Sequence, residues 1–135
     1  WRPNTTSDYP FHSVALTVNG LKVKSLLDHF SGIEAYDYTK VTKKALQWAG
    51  GKLPPNYHIT FSKSESNDSD AKAVARAGGN VAVVFAKGLP ESYLGLPVVN
   101  GDVSDARFMD SKGVIVGLKA KGLAKQDTSG FVVHI

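Results

Sequence analysis

Apolar and polar positions follow one another in a repeated order through the middle of the chain. Glu34-Ala35-Tyr36-Asp37-Tyr38-Thr39 reads as a strand with a polar carboxyl end. Val41, Ala45, Trp48 and Ala49 then share one helical face. Gly50-Gly51 stops that helix and Pro54-Pro55 prevents its restart. Tyr57-His58-Ile59-Thr60-Phe61-Ser62 alternates as a strand does. Ala71, Val74 and Ala75 form the inward face of a second helix, capped by Asn67 or Asp68 and ended by Gly78-Gly79. Val81-Ala82-Val83-Val84-Phe85-Ala86 is almost continuously apolar, the pattern of a strand covered on both faces. Leu96–Val99, Gly113–Leu118 and Phe131–Ile135 supply further strands, the last as an edge candidate.

Helices between strands are what parallel pairing requires. The pattern therefore predicts an α/β fold: a mostly parallel sheet from successive βα units, as a half-barrel or an open three-layer sandwich. The N-terminal part reads in two ways. Asn19-Gly20 suits a hairpin turn between Val14–Val18 and Leu21–Lys24. Val23, Leu26, Leu27 and Phe30 equally fit one helical face, and a helix from about residue 21 is the expectation.

The length of 135 residues suits one α/β domain over 1–135. With 42% hydrophobic and 21% charged residues, the chain can build a core of its own. The absence of cysteine excludes disulfides, thiolate metal sites and cysteine nucleophiles. No apolar run approaches the roughly 18 residues that cross a bilayer. The expectation is a protein of the bacterial cytoplasm with no membrane partner. Residue 1 is Trp1, which suggests a processed chain or a piece of a longer one. Asn4-Thr5-Thr6 and Asn67-Asp68-Ser69 fit the short glycosylation pattern, which arises often by chance.

Sixteen basic against twelve acidic residues leave a net charge of +4. That balance admits nucleic acid or a nucleotide as partner. Ligands of parallel α/β folds sit at the carboxyl ends of strands, so the residues following each strand are the candidates. Thr39, Lys63, Lys119 and Lys121 are the candidate substrate-binding residues, since hydroxyls and ammonium groups donate to phosphate oxygens. Asp102, Asp105 and Ser62 are the candidate catalytic residues. The two aspartates could act as base or hold a divalent cation, although their spacing is not a calcium loop. The plainer alternative makes them turn residues after Asn100-Gly101. Lys119 and Lys121, at i and i+2, share one strand face and could meet successive phosphates, or simply guard a sheet edge. His12, His29, His58 and His134 stand at no metal-ligand spacing, so no resident metal site is assigned.

The series Asn4-Thr5-Thr6-Ser7-Asp8, Tyr36-Asp37-Tyr38-Thr39-Lys40 and Asn56–Ser62 continues with Asn80–Phe85, Val99-Asn100-Gly101-Asp102 and Gly117–Gly122. In that order it resembles the C-terminal part of a family encoded by bacterial phages and plasmids. The resemblance implies a mobile-element origin and brings no catalytic role with it. It also implies that longer relatives carry a cysteine-bearing N-terminal part, so this chain is expected to oligomerise or to pair with a missing segment. Three functions fit. The first is an enzyme acting on a phosphate-containing substrate such as nucleic acid or a nucleotide. The others are a non-catalytic nucleic-acid- or protein-binding module and a phage structural or assembly component.

Overall fold

A computed structural model describes residues 1–135. The chain opens with a hairpin, β1 (Leu16–Val18) and β2 (Leu21–Val23), paired antiparallel. Asn19 and Gly20 both take positive φ, 49° and 79°, which is the backbone of the tight turns that match strand twist. The helix expected from residue 21 is thus confined to α1 (Leu26–His29). Ser25 caps it by accepting from the Asp28 amide at 3.1 Å.

Two βα units follow. β3 (Ala35–Thr39), α2 (Thr42–Ala49), β4 (Tyr57–Ser62), α3 (Asp68–Arg76) and β5 (Asn80–Phe85) appear where the hydrophobic pattern places them. α2 ends at Gly50-Gly51, with Gly51 at φ 71°. α3 carries Asp68 and Asp70 in its first turn and Arg76 in its last, which complements the helix dipole. β3, β4 and β5 pair parallel, with Ala35 opposite Tyr57 and Thr60 opposite Asn80.

Beyond β5 the alternation stops. β6 (Ser92–Tyr93) and β7 (Leu96–Asn100) form an antiparallel hairpin. β7 then pairs with β8 (Ile115–Lys119), and β8 with β5. β9 (Val132–Val133) pairs with β5 as well, alongside Val84 and Phe85. With β5 as its one partner it is an edge strand, as expected, set beside the part of β5 that follows the last residue paired with β4.

The expected mostly parallel sheet of successive βα units, whether half-barrel or open three-layer sandwich, is therefore corrected. The fold is mixed α/β, with a seven-stranded mixed sheet, a separate two-stranded antiparallel sheet and few helices. Gly88, Pro90, Gly95, Pro97 and Gly101 punctuate the stretch after β5 and leave no room for another crossover helix. A 3-10 turn, Arg107–Met109, is all that intervenes between β7 and β8.

The two sheet faces differ. Ala35, Tyr57, Ile59, Phe61, Val81, Val83 and Ile115 pack with Ala45, Trp48, Ala71 and Val74 of the two longer helices. Ala82, Val114 and Val116 form a smaller cluster on the other face, with Tyr38 and Val99 against it. Phe108 of the 3-10 turn stands against Tyr36 and His58 on that face, ring centres 6.2 and 6.4 Å apart. Alternation along each strand sets this division. No helix is long and apolar enough to cross a membrane.

Candidate ligand cleft at the strand ends

The N-terminal segment runs along the free edge of β3. The Trp1 ammonium donates to the Glu34 carbonyl at 2.7 Å, and the Tyr36 amide donates to the Trp1 carbonyl at 2.9 Å. Pro3 has no amide to continue the ladder, and the chain turns away. Asn4 makes the turn rigid. Its side-chain oxygen accepts from the Ser7 hydroxyl at 2.7 Å and the Tyr9 amide at 3.2 Å. Its amide nitrogen donates to the Tyr9 carbonyl and to Asp37, both at 3.0 Å. Buried and committed in this way, Asn4 is no glycan acceptor.

Asp37 is the anchor. It lies on the helix-side face of β3 with Ala35 and Thr39 and is fully buried. Its carboxylate accepts from the Asn4 backbone amide at 2.9 Å, the Asn4 side chain and the Tyr57 hydroxyl. The Arg2 guanidinium approaches to 4.0 Å. Burial raises the Tyr57 hydroxyl well above its ordinary pKa, and its bond to Asp37 adds to the effect.

Asp8 closes the loop. One carboxylate oxygen accepts from the Thr39 hydroxyl at 2.5 Å, and the other from the Lys40 amide at 3.3 Å. The Lys44 ammonium of α2 stands 3.5 Å away. Three sequence motifs, Asn4–Asp8, Tyr36–Lys40 and Asn56–Ser62, are thus tied together by side chains.

Above this scaffold lies an open cleft of about 350 Å³. Thr5, Thr6, Ser7 and Ser62 bring hydroxyls to its wall, and Arg2 and Lys40 bring positive charge. The Arg2 guanidinium is centred 5.1 Å over the Tyr38 ring, a cation–π contact that orients it. Burial raises Tyr38, while Arg107 and Arg2 oppose the shift and Asp105 adds to it.

Of the candidates, Lys63, Asp102, Asp105, Lys119 and Lys121 lie outside this cleft. Thr39 and Ser62 share the cleft. Lys63 is buried, and its ammonium donates to the Gly130 carbonyl at 3.3 Å with Asp68 at 3.8 Å. Asp102 accepts from the Lys119 amide at 2.9 Å and the Lys121 ammonium at 2.8 Å. Those two donors, Lys121 first, hold its carboxyl below the usual carboxylate range. The exposed Asp105 accepts the Arg107 amide through its backbone carbonyl at 2.8 Å. No three histidine or acidic side chains gather around a common point.

The family model for gene product 88 matches residues 1–135. The chain belongs to the gene product 88 family. This is a family of phage-type gene products, in keeping with the resemblance carried by the motif series. No curated protein and no solved structure matches the chain. Sequence reasoning places Asp8 and Asp37 among the strand-end residues but assigns no role to them or to Arg2. Asp37 left a readable signal: a charge at an inward-facing strand position between Ala35 and Thr39.

Proposed function

We propose that this phage-type protein binds a phosphate-bearing ligand, nucleic acid or a nucleotide, in the cleft at the carboxyl ends of β3 and β4. One observation carries the reading: Arg2 is held over Tyr38 beside a wall of hydroxyls. Guanidinium and hydroxyl groups are complementary to phosphate oxygens, and an open cleft admits a polymer. Arg2 and Lys40 supply charge, while Thr39 and Ser62 position the ligand. Lys119 extends the basic rim. In the enzymatic form of this proposal Ser62 and Asp105 act on the bound phosphate group, in the cytoplasm of a bacterial host.

The engagement of Asp102 favours a second reading, a non-catalytic binding module. A carboxylate that already accepts from Lys121 and the Lys119 amide is a weak general base. Fluorescence anisotropy against single- and double-stranded DNA and RNA at two salt concentrations tests both. Binding should fall as salt rises, and Arg2→Ala should weaken it for every sequence. Absence of binding at low salt overturns the proposal. Turnover of a bound oligonucleotide separates the enzyme from the module.

A further inference from the structure

A second pocket, of about 450 Å³, opens on the other side of Asp8. The first turn of α2 forms part of its wall through Val41, Lys43 and Lys44, and Lys52 and His12 add to it. Its three lysines and one aspartate leave two positive charges. Lys44 is the unusual member. Its side chain is 5% exposed, and its ammonium donates no hydrogen bond. Asp8 at 3.5 Å and the Tyr57 ring at 5.4 Å are its only partners, so donor capacity is left over. A buried cation with unused donors is costly unless something meets them. His12 Nδ1 is likewise buried without a partner. Finally, Val41 occupies the N-cap of α2 and supplies no capping acceptor, so the first-turn amides lack the side-chain oxygen that usually satisfies them.

We propose that this pocket is a second anion site, built to take a phosphoryl group and separate from the strand-end cleft. Lys44 donates from the floor, Lys43 and Lys52 neutralise charge from the rim, and the uncapped turn of α2 provides a favourable dipole. Asp8 also accepts from the Thr39 hydroxyl and the Lys40 amide, and with its charge counted the pocket still carries a net two positive charges to attract an anion. Burial and the neighbouring Lys44 hold His12 below its ordinary pKa, so the ring hydrogen-bonds as a neutral group.

The test is titration of ¹⁵N-labelled protein with inorganic phosphate at low ionic strength. Saturable shifts of the Lys43 and Lys44 amides are expected. Lys44→Met should weaken binding by about tenfold or more, the loss of a charge-assisted hydrogen bond. Lys125→Ala, which removes the same charge from an exposed position elsewhere, should leave it unchanged. Should Lys44→Met fail to fold, the exposed pair Lys43→Ala and Lys52→Ala replaces it, with a loss of at least about threefold expected. Three results overturn the proposal: no saturation by about 50 mM phosphate, shifts confined to residues 2–7, or equal affinity in the variant that folds.

Discussion

The Tyr57 hydroxyl donates to a carboxylate oxygen of Asp37, across neighbouring strands and twenty residues apart in sequence. The parallel register sets Tyr57 opposite Ala35, so Asp37 lies two residues further on the same face, within reach of the ring's tip. Both side chains are buried. Tyr57→Phe therefore removes one donor from a buried carboxylate and should cost about 1–3 kcal/mol in urea unfolding. Asp37→Ala strands the donors of Asn4 and Tyr57 together and should cost more than Tyr57→Phe does. In a double-mutant cycle the two losses should not add.

Alkaline pH should expose the same contact. Tyr57 is raised above its ordinary value of 10.0 in the folded protein, and Tyr38 and Tyr93 are raised too. The unfolded chain ionises these hydroxyls first and releases protons that the folded chain keeps. Their stabilisation is thus complete below about pH 10 and is lost as pH climbs beyond it. Urea midpoints measured from pH 8 to 11 should fall at the upper end. Tyr57→Phe should show a shallower fall there; an identical slope would remove Tyr57 as a source.

Gly117 permits a close crossing in the sheet. A Cβ at this position would lie 2.7 Å from Val98 Cγ1 and 2.9 Å from Leu89 Cδ2. Gly117→Ala should destabilise the protein by about 1–3 kcal/mol through overpacking, read as a lower thermal midpoint. Gly88→Ala, where a Cβ meets nothing within 4 Å, is the matched control.

Asp102 pairs at 2.8 Å with Lys121, whose side chain faces solvent. If Lys121 contributes to binding a polyanion, Asp102→Asn should tighten that binding on the order of twofold at low salt, because one negative charge leaves the rim. If Asp102 is instead a catalytic base, the same variant binds as well as the parent and turns nothing over. Anisotropy and a turnover assay on one preparation distinguish these outcomes.

The two βα units were legible because each element is long enough to show its period and glycine or proline separates each helix from the strand after it. Asn67 shows where such local reading fails. It stands at the N-cap of α3 but makes no capping bond. Its side chain accepts from the Ser64 amide at 2.7 Å and donates to the Ser62 carbonyl at 3.0 Å, bracing the turn out of β4. The N-terminal hairpin stays ambiguous against a helix in the sequence because three-residue strands are too short to separate a period of two from one of 3.6. There the turn residues Asn19-Gly20 were the stronger signal.

Local chemistry along the chain was enough to determine α2, α3 and the strands β3 to β5, and to exclude disulfides. It also marked Thr39 and Ser62 as polar residues at the carboxyl ends of strands. Only the tertiary structure decided that β9 lies beside β5, that Lys121 faces Asp102 and that Asn4 meets Asp37. Helix and strand periods are written in neighbouring residues, whereas these contacts depend on register and chain path between distant ones. A buried carboxylate is tolerable only where such paths deliver its donors, and no local pattern records that delivery.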